Sequence, residues 1–394
     1  MRKAFICPTK YVQGENELLN LGYFVKTFGK KALLIADPFA LNLVKEKLEA
    51  TQKKYGVEFV SCDLFKGECS RTVVKALQEF AKANKCNCTI GLGGGKAIDT
   101  SKCVAAGNAL IICPTIAATD APTSHSAVLY TDNHEFDDYA YFRQSPSVVL
   151  IDLNVVANAP TRFLVSGMGD ALSTYFEARA NVNSVSNVNA GLPCGADRKK
   201  GTLLGYGTYT AAALAELCYR NLISDGAKAK VACDCNVVTP AFEKIVETNI
   251  LLSGLGFESG GLAAAHAIHD GLTAIHDIHS CCMHGEVVAF GTICQLVLEN
   301  SPEEELYEVL NFCDEVGLPV CLHDLMTNPR TGDVIREELT EEEYKIVAAK
   351  TCIPDESIHN MPFPVTEDMV IAAIKAADKI GHDFRYGCDC ECCH

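Results

Sequence analysis

The feature that most constrains the fold is an alternation of short apolar runs with helical patterns over residues 1–159. The apolar runs are KALLIAD (31–37), EFVSCDLF (58–65), CTIGLGGGK (88–96), ALIICPT (109–115) and SVVLIDL (147–153). Between the second and third runs, the apolar residues of 72–83 recur at the spacing of one helix face. Strands that alternate with helices of about a dozen residues are typical of βαβ units. We therefore expect residues 1–159 to form an α/β domain with a parallel sheet.

The pattern changes at Pro160. Long segments rich in Ala and Leu follow, such as 209–223 and 242–256, and none of them shows a strand pattern. A chain of 394 residues also exceeds the length at which one hydrophobic core usually stops growing. We expect a helical second domain over 160–387 and a cysteine-rich tail at 388–394. The Asn-, Ser- and Gly-rich stretch 181–207 indicates a loop or a variable connection.

Composition excludes several classes of function. The formal net charge of −16 disfavours binding to nucleic acid and to anionic membranes. No apolar run is long enough to span a bilayer, and the start of the chain lacks a signal-peptide core. The 21 cysteines mostly lie singly in apolar runs, where they serve as small hydrophobic residues. Free thiols on this scale favour a reducing, cytoplasmic location. Representative cysteines are Cys103, Cys113, Cys218 and Cys294.

The segment 91–99, GLGGGKAID, carries the clearest chemistry of the first domain. It follows a strand and opens a helix, where exposed N–H groups and the helix dipole bind phosphate. It is not a P-loop, because Ala97 replaces the residue that would hold magnesium. It also departs from the usual dinucleotide fingerprint, because Lys96 stands where the last glycine would be. A cation there favours a phosphate site, and a simple tight turn is the alternative.

Two further segments are consistent with a dinucleotide. Asp37 ends the first clear strand, where an acid can bind ribose hydroxyls and repel a 2′-phosphate. That position favours NAD over NADP, with a helix cap as the alternative. The segment 114–125, PTIAATDAPTSH, also follows a strand, and its composition suits a loop above the sheet edge. An ordinary polar loop is the other interpretation.

Five of the eleven histidines lie between His266 and His284. Imidazole is the commonest metal ligand, and the small residues of 260–265 leave room beside His266. Glu286, close to His284, is a possible hydrogen-bond partner for that imidazole. Asp170 offers a carboxylate among small residues, although for an isolated Asp an acid in the first turn of a helix, stabilised by the helix dipole, is the favoured interpretation. Solvent-facing histidines remain the alternative to a metal site.

Six motifs, in one order, resemble the glycerol dehydrogenases of the iron-containing (group III) alcohol dehydrogenase superfamily. They cover nearly the whole chain and are GLGGGKAID, PTIAATDAPTS, GMGDALSTYFEA, FESGGLAAAHAIHDGLTAI, MHGEVVAFG and IHNMP. The resemblance implies a Rossmann-like α/β domain with a parallel sheet and an all-α C-terminal domain, the dehydroquinate synthase-like fold. It also implies NAD-dependent oxidation of glycerol, and of related vicinal diols, with a divalent metal between the domains. Family members are homo-oligomers, typically octamers.

The resemblance implies a role for individual residues. The metal ligands fall on Asp170, His266 and His284, and the substrate-contacting acid falls on Asp120. The cofactor contacts fall on Asp37, Gly94, Gly95, Lys96, Asp99, Thr115, Ala118, Ser124, Ser126 and Tyr130. The glycerol branch of the superfamily points to zinc, with iron as the alternative. Two departures stand out: His125–Ser126, where relatives usually carry Ala-Leu, and an insertion around 183–201.

The remaining assignments concern proton movement and competing functions. A bound metal would lower the pKa of the reacting hydroxyl so that hydride can leave for the nicotinamide. His269, one turn beyond His266, is either a proton relay or supporting residue, or an exposed helix residue. His276 and His279 receive no role. The alternatives to a glycerol dehydrogenase are another diol or aldehyde oxidoreductase, a dehydroquinate synthase-like lyase, and a metal buffer centred on the thiol-rich tail.

Overall fold

The computed structural model describes residues 1–194, 204–329, 331–336 and 338–387. Within these residues the strands are β1 (Tyr11–Gly14), β2 (Lys31–Ile35), β3 (Glu58–Val60), β4 (Cys88–Gly93), β5 (Leu110–Pro114), β6 (Ser126–Tyr130), β7 (Phe136–Tyr141) and β8 (Val148–Asp152). Six of them form one parallel sheet in the order β1-β8-β5-β4-β2-β3. Strands β6 and β7 form a separate antiparallel hairpin.

Helices cover both faces of the parallel sheet. They are α1 (Leu21–Phe28), α2 (Pro38–Leu43), α3 (Lys45–Tyr55), α4 (Arg71–Ala83), α5 (Gly95–Ala105) and α6 (Leu153–Ala157). Every residue of β4, β5 and β8 is buried, as expected for central strands that are covered on both faces. Helix α4 begins at Ser70, whose hydroxyl accepts a hydrogen bond from the N–H of Val73. The predicted parallel sheet is confirmed.

The sequence did not predict three strands of this region. Strand β1 lies at the sheet edge and is only half-buried, so it lacks a continuous apolar run. Strand β6 alternates buried with half-buried residues, and β7, FDDYAY, is largely exposed. Strand β3 is also shorter than its predicted run of 58–65. Apolar runs predict strands only where the side chains are buried, so such runs are weak in strands that are exposed on one side.

The second half of the chain is helical. Its helices are α7 (Thr161–Ser184), α8 (Tyr209–Asp234), α9 (Pro240–Glu247), α10 (Ser253–Gly260), α11 (Ala264–Leu272), α12 (His276–Cys281), α13 (His284–Leu298), α14 (Glu303–Val316), α15 (Leu322–Leu325), α16 (Glu341–Thr351) and α17 (Glu367–Tyr386). A π-helical turn, Thr248–Leu252, joins α9 to α10. As predicted, the described residues after Pro160 contain no strand longer than an isolated bridge. None of the described helices is long and apolar enough to cross a membrane.

Helix α7 is the centre of the helical half. It is buried along most of its length and packs against α8, α10 and α13. The change from sheet to helices falls near the proposed boundary at 159/160, which stays a prediction. The first residues of the chain contact the helical half, because Arg2 Nη1 donates to Gly191 O at 2.7 Å and Ile6 N donates to Ser259 Oγ at 3.1 Å.

The cysteines of the described residues are free thiols. Cys113, Cys218 and Cys294 are buried in apolar surroundings, as predicted. Cys103 is also buried but is not isolated, because its sulfur lies 3.8 Å from that of Cys69. The tail at 388–394 lies outside the described residues. Of the stretch predicted as a loop or variable connection, 181–184 continue α7 and 195–203 also lie outside the described residues.

Candidate metal and cofactor site

Three side chains from three different helices of the second half converge beside the loop that carries Asp120. Asp170 lies within α7, His266 in the first turn of α11, and His284 is the first residue of α13. The two imidazole Nε2 atoms lie 3.4 Å (His266) and 3.3 Å (His284) from the same oxygen, Asp170 Oδ1. One ligand atom from each residue lies within 4.8 Å of the other two. The structure thus brings together the residues that the resemblance predicts as metal ligands.

Close packing of α7 against α13 produces this convergence. A Cβ atom on Gly285 would lie 1.7 Å from the carbonyl oxygen of Ser166, and one on Gly169 would lie 2.2 Å from the carbonyl oxygen of Gly285. Only glycine allows the two backbones to approach this closely. The short separation places His284, at the start of α13, directly over Asp170.

Glu177 is a functional residue that the sequence analysis did not identify. It lies two helical turns after Asp170 on the same face of α7 and is fully buried. Its Oε2 accepts a 2.6 Å hydrogen bond from His266 Nδ1, and its Oε1 accepts from the N–H groups of Ala263 and His266. A carboxylate on Nδ1 leaves Nε2 free and fixes the ring, as in carboxylate–histidine–metal arrangements. The sequence feature that could have identified Glu177 is the presence of an acid in the apolar segment STYFEA.

The charges of the site favour a cation. Burial alone would raise the pKa of the Asp170 carboxyl, but the charge of His284 and hydrogen bonds from both histidines outweigh it and lower that pKa. Burial opposes protonation of His266, but Glu177 and Asp170 outweigh it and raise its pKa well above the ordinary value. Protonated imidazole thus balances the buried carboxylates. A divalent cation would supply the same positive charge, so this donor set fits a metal.

His269 supports His284 rather than facing solvent. Its Nε2 lies 3.0 Å from His284 Nδ1, and its Nδ1 lies 2.9 Å from Asp270 Oδ1. Burial and then the charge of His284 lower the pKa of His269 to about 4, so its ring is neutral at neutral pH. His276 and His279 are exposed and take no part in this chain of contacts. The histidine cluster therefore divides into an inner group of three and an outer pair.

The expectation that Glu286 partners His284 is wrong. Both Glu286 oxygens bind the Arg162 guanidinium, at 2.6 and 2.7 Å, and Oε2 also accepts from the N–H of Met283 at 2.7 Å. Glu286 thus caps the start of α13 and neutralises a half-buried arginine. His269 occupies the position at His284 Nδ1 that Glu286 was expected to take.

Asp120 lies beside the metal-ligand cluster. Its backbone N–H points at Asp170 Oδ2 at 3.4 Å, and its carboxylate Oδ2 accepts a 2.6 Å hydrogen bond from Ser253 Oγ at the start of α10. Burial and then the charge of Asp170 raise the pKa of Asp120 well above its ordinary value. A carboxyl group with a raised pKa, next to a cation site, is suited to exchanging hydrogen bonds with a hydroxylic ligand.

The glycine-rich turn after β4, residues 93–95, leaves an uncapped helix start with open space beside it, and we call it the glycine cradle. Gly93 has a φ of 138°, which favours glycine, and Gly94 is the N-cap of α5 with no side-chain acceptor for the first N–H groups. A Cβ on Gly95 would meet nothing within 4 Å, so open space lies in front of the helix start. Open space at an uncapped helix N-terminus fits an anionic group such as a pyrophosphate.

Lys96 and Asp37 have structural partners as well. The Lys96 ammonium group pairs with Glu68 and lies 5.8 Å from the centroid of the Tyr130 ring. The charge of Lys96 therefore has a partner within the protein, and a phosphate contact by this lysine stays a prediction. Asp37 Oδ1 accepts a 2.8 Å hydrogen bond from the N–H of Ala40, so it caps α2, the alternative the sequence left open. Its other oxygen would lie 3.5 Å from a Cβ on Gly93, beside the cradle.

The remaining predicted cofactor residues contact either the glycine cradle or the helix that follows it. The N–H of Thr115 donates to Gly93 O at 3.1 Å, so the loop after β5, which includes Ala118, starts beside the glycine turn. Asp99 binds the N–H of Val128 at 3.0 Å and pairs with Lys102 at 3.2 Å. Lys102, which the sequence analysis missed, is only 2% exposed. It also donates to Ser124 Oγ at 2.8 Å and to Ser126 O at 2.7 Å.

Replacing Glu177 by glutamine tests its role at His266. The Glu177→Gln change keeps the size of the side chain but removes the negative charge beside the His266 ring. We expect the dissociation constant for zinc to rise about 10- to 100-fold, as is typical for partners of metal-bound histidine. The catalytic rate, kcat, should fall in proportion to the fraction of protein that has lost its metal. Equilibrium dialysis with metal analysis measures the dissociation constant for zinc. Saturation with added zinc should recover most of kcat. Unchanged zinc affinity would contradict the assignment.

Comparisons with known proteins identify similar sequences and structures in one family. Residues 8–153 match the family model described as iron-containing alcohol dehydrogenase. The chain is 44% identical to glycerol dehydrogenase of Escherichia coli O6:H1, over 98% of this chain and 99% of that protein. It is 40% identical to glycolaldehyde reductase of Halobacterium salinarum, over 98% and 100%. The crystal structure of glycerol dehydrogenase from Schizosaccharomyces pombe matches with a TM-score of 0.87 and 36% identity, over 97% and 92%.

Proposed function

Because this chain belongs to the glycerol dehydrogenases of the iron-containing alcohol dehydrogenase superfamily, we propose that it oxidises glycerol to dihydroxyacetone and reduces NAD. One observation carries the proposal. The loop from Thr115 to Asp120 begins at the glycine cradle, where Thr115 bonds to Gly93, and ends at Asp170, to which Asp120 donates. A segment this short supports the proposal that the glycine cradle and the ligand cluster belong to one site.

Asp170, His266 and His284 would hold one divalent metal, zinc in the first instance and iron as the alternative. Such an ion lowers the pKa of a bound alcohol and so eases the loss of hydride from carbon. Glu177 holds the His266 ring so that Nε2 faces the metal position. His269 would hold His284 in the same way. Because its lowered pKa of about 4 makes it a weak proton acceptor, the supporting role is favoured over that of a proton relay.

Asp120 would orient the substrate. Ser253 fixes one of its oxygens, which leaves the other for a glycerol hydroxyl. We infer that the substrate is a small polyol with two adjacent hydroxyls, because the carboxyl group and the metal position are neighbours. The overall reaction converts one glycerol and one NAD⁺ to one dihydroxyacetone, one NADH and one proton.

The proposed cofactor contacts start at the glycine cradle. The N–H groups at Gly94, Gly95 and Lys96 would bind the pyrophosphate, and Asp37 would accept from ribose hydroxyls and disfavour a 2′-phosphate. The residues proposed to line the nicotinamide side are Asp99, Thr115, Ala118, Ser124, Ser126 and Tyr130. Assembly into a homo-oligomer, with an octamer as the family's form, and a cytoplasmic location complete the proposal.

A second candidate is an aldehyde reductase of the same superfamily. The similarity to the glycolaldehyde reductase of H. salinarum favours it, because the chain matches that protein over its whole length. The same residues would serve this reaction, with hydride moving from NADH to a carbonyl carbon. A lyase similar to dehydroquinate synthase would instead return the hydride to its substrate and would accumulate no NADH.

A substrate panel separates these functions. We expect steady NADH formation from NAD with glycerol, 1,2-propanediol or 2,3-butanediol. We expect kcat/KM for glycerol within about 100-fold of the best diol, since all three substrates keep two adjacent hydroxyls. Rates with NADH and glycolaldehyde or methylglyoxal measure the reverse direction. Absence of NADH formation with every diol, together with fast aldehyde reduction, would favour the second candidate. No turnover in either direction would refute both.

A further inference from the structure

The cofactor half and the metal-ligand half are also joined by a buried pair that lies away from the metal ligands. His125, just before β6, is 4% exposed, and Glu258, in α10, is 1% exposed. His125 Nδ1 lies against Glu258 Oε2. The backbone N–H of His125 and the hydroxyl of Ser126 point at the other oxygen, Oε1, at 3.2 and 3.3 Å. One carboxylate thus accepts from two donor groups of a single turn and contacts the imidazole of the same turn.

Glu258 depends on this turn for its partners. In the described part of the chain, His125 is the basic side chain that pairs with it. A buried carboxylate without a compensating partner is strongly unfavourable. The contacts of Glu258 therefore tie α10 to the turn that carries His125 and Ser126.

The turn is held from the opposite side by the cofactor half. Lys102, on the helix that follows the glycine cradle, donates to Ser124 Oγ and to Ser126 O. Ser124 and Ser126 are two of the proposed cofactor residues. The turn therefore lies between Lys102, which fixes it relative to the cradle, and Glu258, which fixes it relative to α10.

Helix α10 connects the turn at His125 to the metal-ligand cluster. Its first residue, Ser253, binds Asp120, and its last residue leads through a short connection to α11 and His266. A Cβ on Gly254 would lie 1.8 Å from Thr123 Oγ1, so the loop before His125 packs directly on the same helix. A shift of the turn relative to α10 changes the separation of the two halves of the site.

We propose that His125 and Glu258 are a positioning pair that sets the distance over which hydride passes from the polyol to the nicotinamide. The inference rests on the proposed function. The pair touches neither the metal ligands nor the proposed phosphate cradle, so it acts through the placement of Ser124 and Ser126. Hydride transfer is sensitive to such placement, because a misplacement of about 1 Å can lower a rate about 100-fold.

Four variants test the pair: His125→Leu, His125→Asn, Glu258→Gln and the double variant His125→Leu/Glu258→Gln. Leucine is similar in size to histidine but has no donor, whereas asparagine places an N–H donor near the position of Nδ1. For His125→Leu we expect wild-type metal content, a kcat lowered about tenfold or more, and a larger primary isotope effect with carbon-deuterated glycerol. NADH affinity, measured by fluorescence titration, should weaken about fivefold.

The conservative variant and the double variant make the test specific. His125→Asn should restore most of kcat and NADH affinity, and the double variant should be no worse than the more impaired single variant, because both changes break one unit. A merely structural role would lower the unfolding temperature while kcat, the isotope effect and NADH affinity stayed at wild-type values; that result overturns the proposal, as does failure of asparagine to outperform leucine.

The test is separable from the proposed function. If the wild-type protein fails to oxidise any diol, the proposed function is lost, whereas NADH affinity and its recovery in His125→Asn still report on the pair. If His125→Leu does not fold, Glu258→Gln takes its place, because it keeps an acceptor for the backbone N–H. Wild-type kcat, isotope effect and NADH affinity in a folded Glu258→Gln variant would overturn the inference.

Discussion

Replacing His266 by alanine is expected to lower kcat for glycerol oxidation by about a thousandfold or more. The variant loses one of three proposed metal ligands and leaves Glu177, which is fully buried, without its imidazole partner. A catalytic metal stabilises the developing charge by several kcal/mol, and each 1.4 kcal/mol corresponds to about a factor of ten in rate. Steady-state NADH formation and metal analysis of the purified variant measure both effects.

The same segment supplies the matched control. His279 is exposed and lies outside the inner group of histidines, so His279→Ala should keep wild-type metal content and kcat. NAD affinity should be nearly unchanged in both variants, because the glycine cradle lies on the other half of the site. A His266→Ala enzyme with near wild-type turnover would refute the ligand assignment, and equal losses in the two variants would show that the effect is not specific to the site.

The second large effect is expected at a residue that carries no functional group. Gly285→Ala places a Cβ where the structure leaves 1.7 Å to the carbonyl oxygen of Ser166, so α7 and α13 must separate. We expect a loss of about 3 kcal/mol in the free energy of unfolding, at the upper end of overpacking effects. Because this contact places His284 over Asp170, metal content and kcat should fall with it. Denaturant unfolding and metal analysis are the measurements.

Gly95→Ala is the matched control for that substitution. A Cβ at this position meets no atom within 4 Å, so the folded state has room for it. Stability and metal content should remain at wild-type values, but the methyl group enters the space proposed for the pyrophosphate. NADH affinity should weaken about tenfold, the equivalent of one charge-assisted hydrogen bond. A destabilised Gly95→Ala variant with unchanged NADH affinity would contradict the placement of the cofactor.

Local patterns were sufficient to predict five of the six strands of the parallel sheet. The central strands are buried on both faces, so their apolar runs are continuous and easily seen in the sequence. The edge strand β1 and the hairpin of β6 and β7 were missed because their side chains are partly exposed. The order of the strands, with β4 and β5 at the centre, depends on long-range pairing that no local pattern encodes.

The ligand set was predictable only through the resemblance. Asp170 and His284 lie on helices that are far apart in sequence, and their meeting depends on close backbone contacts at Gly169 and Gly285. The partners of the ligands were harder still. Glu286 is close to His284 in sequence and was the expected acceptor, yet it binds Arg162, and the actual partner of His284 is His269. Proximity along a helix does not determine which way a side chain points.

Charged residues at the cradle illustrate a second limit. Lys96 and Asp37 were interpreted as cofactor contacts because of their positions at strand ends, and both have internal partners in Glu68 and Ala40. A sequence cannot reveal such partners, since Glu68 lies in a loop without a recognisable motif. Lys102 was overlooked for a related reason. A lysine within a helix is usually solvated, and only the fold shows it buried beneath the turn that carries Ser124 and Ser126.

The central claim is that Asp170, His266 and His284 hold the metal on which glycerol oxidation depends. The most direct test is to strip metal from the wild-type protein with a chelator and to follow NADH formation from glycerol while zinc is added back. We predict that activity disappears on stripping and returns in proportion to zinc, with full recovery at one ion per chain and none in His266→Ala. A metal-free protein that oxidises glycerol at an undiminished rate would contradict the account.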